Sequence, residues 1–237
     1  GGISLVEDDA LTITNVSVTV RAVAADFSSA ALAAETLSDL TTSANGSIAL
    51  TTLAGDLTLN DGTVDNTAVS ANGAGNIYLN AAGAGTSIIA NADILSGSGD
   101  LTLLAAANLT FNATADVKTS GGDVNLVADT GAITFDDHAQ VATSGGNVRM
   151  LAATDITLGG VQAGTGSVTL TATAGSILDA GNTYQDISAN AARLVAGTGI
   201  GTSTNPLEVG LDTLAASAGL GGISLVEDDA LTITNVS

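Results

Sequence analysis

The chain has 237 residues, a formal net charge of −20, no cysteine or tryptophan, and four basic residues, Arg21, Lys118, Arg149 and Arg193. So few cations exclude nucleic-acid binding and argue against anionic membrane surfaces; the missing cysteines remove disulfides, thiolate metal sites and cysteine nucleophiles. The 45% hydrophobic fraction is too high for a disordered acidic tail, no stretch is apolar enough to span a membrane, and no charged-then-apolar leader opens the sequence.

Residues 1–17, GGISLVEDDALTITNVS, recur unchanged as residues 221–237. This predicts one complete repeat over 1–220, the start of the next over 221–237, and no separate globular domain. Omitting Glu227, Asp228 and Asp229 leaves a charge of −17 per 220 residues. Residues 18–45 then break the pattern with Val18, Val20 and an alanine-rich run from Phe27 to Glu35. An irregular insertion of about 24–39 is expected, either a loop on a second coil or a protruding loop or short helix that contacts a partner.

From Gly46 onward a Gly–(Asn/Asp/Ser)–aliphatic step recurs at Gly46-Ser47-Ile48, Gly75-Asn76-Ile77, Gly99-Asp100-Leu101, Gly122-Asp123-Val124, Gly146-Asn147-Val148 and Gly166-Ser167-Val168. Each step opens a short alternating strand. In most units a second strand follows, as Leu57-Thr58-Leu59, Leu109-Thr110-Phe111, Ile133-Thr134-Phe135 and Ile156-Thr157-Leu158, with Leu11-Thr12-Ile13 in the first unit. A weaker third strand appears at Asp116-Val117-Lys118 and Gln140-Val141-Ala142. Residues 185–221, punctuated by Gly199-Ile200-Gly201, Asn205-Pro206-Leu207 and Gly221-Gly222, are expected to hold two less regular coils.

Three short strands per unit, recurring every 20–29 residues, predict an all-β parallel β-helix of eight or nine coils per repeat. One coil buries too little apolar surface to offset its own ordering, so stability comes from its neighbours. Outward threonines Thr12, Thr58, Thr110, Thr134 and Thr157 should form one column, with Asn60, Asn112 and Asp136 as a ladder at the next corner. Trp and Tyr do not fit most layers of so narrow a coil. A chain of β-sandwich modules would need about seven strands per 100 residues and a large buried aromatic, which this sequence does not offer.

The run from Arg193 to Leu220, RLVAGTGIGTSTNPLEVGLDTLAASAGL, continuing across the junction into GGISLVEDDALTITNVSVTV, resembles a module of giant repetitive bacterial surface proteins related to filamentous haemagglutinin. DLTTSANGSIALTTLAGDLTLNDGTV and LSGSGDLTLLAAANLTF resemble their haemagglutinin-like coils. The resemblance implies a secreted, right-handed parallel β-helix serving as an adhesin shaft or extracellular fibre, and it supplies no catalytic residues. The recurrence of residues 1–17 points to neighbouring identical repeats stacked end to end as partners, with lateral copies of the chain or a receptor on a host or neighbouring cell beside them; perfect recurrence over 220 residues is more regular than that family leads one to expect.

Enzymatic chemistry has thin support. Asp136-Asp137-His138, with Arg149 at a distance, could imitate the carboxylate sites of polysaccharide-active β-helices, but a solvated turn accounts for them. No cofactor or metal is expected: Glu7, Asp8, Asp9, Asp136 and Asp137 could offer oxygen ligands to calcium, but neither an EF-hand loop nor a calcium-binding nonapeptide is present, and diffuse counter-ion screening accounts for these acids. Asp56, Asn60, Asn108 and Asn112 interrupt the flat threonine array that ice binding needs. A receptor- or glycan-binding module would have to use Tyr78, Tyr184 or residues 24–39. The expected role is structural: a stiff acidic fibre at the cell surface.

Overall fold

The computed structural model describes residues 1–237 other than Thr183, Asp228 and Ser237. Among the described residues the chain is all-β and contains no helix; its parallel strands stack coil upon coil into a β-solenoid. The coils have three faces. The first carries the strands opened by the glycine step, and they align without slippage: Ile48 with Ile77, then Leu101, Val124, Val148 and Val168. Alternation does the rest, because successive side chains on a strand point to opposite sides. Leu50, Leu79, Leu103, Leu126, Met150 and Leu170 are buried in one inward column, and the residues between them face out.

The second face is a nine-stranded parallel sheet containing Leu11–Ile13, Leu57–Leu59, Leu109–Phe111, Ile133–Phe135 and Ile156–Leu158. It also contains Ile88–Ala90, which lies between the strands of Thr58 and Thr110. There the sequence reads Ile-Ile-Ala, so the threonine signature was missing. The third face is the shortest, running from Leu40–Thr42 through Thr67–Ala71 and Asp93–Ser96 to two-residue strands at Val117–Lys118, Val141–Ala142 and Val161–Gln162. Inside, one contiguous apolar core fills the tube. Phe111 and Phe135 stack face to face on adjacent coils, their ring centroids 4.1 Å apart and their planes 6° from parallel.

The glycine step has a physical cause in close coil-to-coil approach. A Cβ at Gly75, Gly99, Gly122, Gly146 or Gly166 would overlap the carbonyl oxygen of the preceding glycine in the same column. The polar residue that follows makes a side-chain-to-backbone ladder. Asn76 N–H donates to Ser47 Oγ (3.1 Å), Asp100 N–H to Asn76 Oδ1 (2.9 Å), Asp123 N–H to Asp100 Oδ1 (2.8 Å), Asn147 N–H to Asp123 Oδ1 (2.7 Å) and Ser167 N–H to Asn147 Oδ1 (3.0 Å). Each link satisfies an N–H at a bend, where a sheet carbonyl is not available.

Residues Val16–Leu37 leave the solenoid as an antiparallel arm, not as a helix or an additional coil. Val16–Val18 pairs with Glu35–Leu37, and Arg21–Val23 pairs with Ser29–Ala31. The excursion therefore starts earlier than the expected 24–39 and belongs to the first coil, between its second-face strand Leu11–Ile13 and its third-face strand Leu40–Thr42. Residues 185–221 hold two less regular coils, as the sequence leads one to expect. They hold the longest strands, Ile187–Ala196 and Leu207–Ser217, which pass from the third face to the first without the glycine corner.

The two copies of the 17-residue segment occupy different faces. In the first copy, Ile3–Glu7 lies on the first face against Ile48–Thr52, and Leu11–Ile13 lies on the second. In the second copy, Gly222–Ile223 is on the second face, Leu225–Glu227 on the third and Thr232–Ile233 on the first.

Candidate metal centre

The corner between the second and third faces carries the densest chemistry. An acidic or amide residue stands there, at the start of the third-face strand, in three successive coils as Asp93, Asp116 and Gln140, before Gly160 interrupts the column. Asp93 Oδ1 accepts the N–H of Asp116 (2.9 Å), and Asp116 Oδ1 accepts that of Gln140 (2.9 Å). Stacking carboxylates in this way is electrostatically costly. Burial, followed by the neighbouring Asp116 charge, holds the Asp93 carboxyl above its ordinary pKa. Lys118 offsets the charge. Its ammonium pairs with Asp116 at 2.5 Å, and although burial works to lower its pKa, Asp116 and Asp93 together raise it.

Farther along the same corner, the arrangement recurs without a lysine. Asp179 ends the second-face strand Ile177–Asp179, and Asp186 immediately precedes the third-face strand Ile187–Ala196. Ile187 aligns with Val209, which brings Glu208 of the next coil alongside Asp186. The three side chains each contribute one oxygen to a group whose members all lie within 4.8 Å of one another. Asp186 is 0% exposed.

Among the described residues, each carboxylate is held through one oxygen. Gly181 N–H donates to Asp179 Oδ1 (2.6 Å), Glu208 N–H to Asp186 Oδ2 (2.8 Å), and Asn182 Nδ2–H to Glu208 Oε1 (3.4 Å). The other oxygens, Asp179 Oδ2, Asp186 Oδ1 and Glu208 Oε2, are buried without a hydrogen-bond partner. Among the described residues no ion pair reaches this cluster. Burial, reinforced by the Asp179 and Glu208 carboxylates and opposed by the Glu208 N–H, pushes the Asp186 pKa up to about 8. An all-oxygen cluster of this kind either shares a proton or holds a hard cation.

The residues anticipated as calcium donors are not the three that cluster, and Glu7 and Asp136 accept N–H groups of their own turns. Glu7 Oε1 accepts the N–H groups of Asp8 (3.1 Å) and Asp9 (3.4 Å). In the second copy, Glu227 Oε1 accepts from Asp229 N–H (3.3 Å) and Oε2 from Leu211 N–H (2.9 Å), while Asp228 lies outside the described residues. Asp136 Oδ1 accepts His138 N–H (3.1 Å). The Asp137 carboxylate rests beside Gly181, in the loop that joins Asp179 to Asp186, but is not one of the three clustered acids. Arg149 projects from the first face and donates to Asn125 Oδ1 (2.7 Å), so the fold does not bring it to Asp136 or His138.

The threonine column runs Thr12, Thr58, then Ile89, then Thr110, Thr134 and Thr157. Asn60 and Asn112 are linked through Asn91: Asn91 Nδ2–H donates to Asn60 Oδ1 (2.7 Å), and Asn112 Nδ2–H donates to Asn91 Oδ1. Asp136 follows in register but caps its own turn instead. The Asp186–Glu208 pair was foreshadowed by Asp116-Val117 and Gln140-Val141, since an acid or amide before an aliphatic recurs as Asp186-Ile187 and Glu208-Val209. Asp179 carried no such signal. No family model, no curated protein and no solved structure matches the chain.

Proposed function

We propose that the chain is a structural repeat of a long extracellular β-solenoid, serving as the stiff shaft of a bacterial surface adhesin or filament of the filamentous-haemagglutinin type. One observation carries this reading: the recurrence of the opening segment as 221–237 supplies strands that stack onto the preceding coil on all three faces. A repeat of this kind lengthens the stack without interrupting its ladders, and exposed sheet ends favour such addition. The charge of −20 supports the same role by keeping fibres soluble and discouraging lateral contact.

Chains of one, two and three 220-residue units test it. Negative-stain images should show constant width and a length increment of roughly 40 Å per unit, at about 4.8 Å per coil. The melting temperature should rise from one unit to two. Compact particles, or melting independent of unit number, would remove the shaft reading.

A second reading, an adhesive module for a receptor or glycan, is favoured by the arm. Val16, Val18, Val20, Val23, Phe27 and Leu37 are all exposed there, Phe27 to 90%. Such a row of apolar side chains is more than a spacer needs.

A further inference from the structure

We propose that Asp179, Asp186 and Glu208 form a calcium site that clamps the second-face strand Ile177–Asp179 to two successive third-face coils. The donor set is oxygen only, which suits a hard cation. Two oxygens bound to one Ca²⁺ at about 2.4 Å can lie no more than about 4.8 Å apart, and the three carboxylates fall within that limit. Each is oriented by a donor on one oxygen, Gly181, Glu208 or Asn182, and has its other oxygen buried with no hydrogen-bond donor among the described residues. Asp186 is fully buried in that state, the least tolerable place for an unpaired oxygen.

The chain itself supplies the comparison. Where Asp93 and Asp116 stack at the equivalent corner, Lys118 stands beside them. Where Asp186 and Glu208 stack, a third acid is added and no basic side chain among the described residues approaches. The positive charge missing from the protein at this corner is what a bound cation contributes. Calcium fits better than magnesium because the donors come from three separate backbone segments, and Ca²⁺ accepts irregular geometry that Mg²⁺ does not.

The test uses the full chain, dialysed against EDTA and titrated with CaCl2 or MgCl2 at constant ionic strength. One Ca²⁺ per chain should bind by calorimetry. The melting temperature should rise by about 5–10 °C at a hundredfold excess over the dissociation constant, with a much smaller rise for Mg²⁺. Asp186→Asn keeps the shape, relieves the repulsion and should fold without calcium, but it should lose the calcium-induced rise. Glu208→Gln, at a half-buried position, should weaken binding at least tenfold and serves if Asp186→Asn does not fold. Glu7→Gln should leave the response unchanged. The proposal is overturned if wild type shows no saturable response, in which case the acids share a proton. It is equally overturned if Asp186→Asn and Glu208→Gln respond like wild type, or if Mg²⁺ matches Ca²⁺, because either result means diffuse screening.

Discussion

At Gly122 the backbone of one coil passes so close to the next that a methyl group would overlap the Gly99 carbonyl oxygen. Neither partner can yield, because both are held in the ladder that runs from Ser47 to Ser167. Gly85 has a different reason for being glycine: its φ is +79°, yet nothing lies within 4 Å of the position a Cβ would take. The two sites separate steric approach from backbone conformation. Gly122→Ala should destabilise the chain by about 3 kcal/mol, from overpacking against rigid backbone. Gly85→Ala should cost only about 1–2 kcal/mol, the penalty of a left-handed conformation. Urea unfolding of the two variants measures the difference, and equal losses would mean that coil spacing can relax.

Among elements, the arm is the outlier. Its strands pair only with one another, and every residue of those strands is exposed. Its ends converge, since Asn15 and Ser38 both lie against Gly62. Replacing residues 16–37 by a two-glycine link should therefore change the melting temperature by no more than about 2 °C, a sub-kcal/mol effect for a chain of this size. A large loss of stability would show that the arm braces the first coil. If the arm-deleted protein keeps its fibre shape but loses attachment to cells that bind the intact protein, the adhesive reading gains over the shaft.

The whole molecule raises a question of continuity that no single strand can answer. Only residues 218–222 separate the first-face strand ending at Ser217 from Ile223. A return to the first face takes at least 20 residues in the regular coils. The segment 221–237 therefore takes its second-, third- and first-face placement, because five residues are too few to return the chain to the first face. Thr213 and Thr232 are register partners in that placement. Thr213→Cys with Thr232→Cys, in a two-repeat chain, should form an intramolecular disulfide on mild oxidation, because adjacent parallel strands fall within disulfide reach. Failure to cross-link in the folded two-repeat chain would mean that the junction reorganises.

Much of this was legible from the residues alone. Period-two alternation placed Ile48, Ile77, Leu101, Val124, Val148 and Val168 at equivalent points, and the structure aligns them one above another. Glycine followed by a small polar residue marked the corners, because a backbone contact and an unpaired N–H at a bend allow few other choices. Val117–Lys118 and Val141–Ala142 were anticipated as a weaker third strand, whereas Ile88–Ala90 and the third-face strand Val161–Gln162 were hidden, being too short or too irregular to carry a period. The three-acid cluster was hidden for a stronger reason: Asp179, Asp186 and Glu208 meet only after the corner has turned and the next coil has docked. What the amino-acid sequence determined by itself was the alternation, the corners and the repeat, all properties of neighbours along the chain. Which face a strand joins was decided by the tertiary structure, as the two copies of GGISLVEDDALTITNVS demonstrate. A short alternating strand can be buried on any face, so the free edge it meets and the length of chain leading to that edge make the choice.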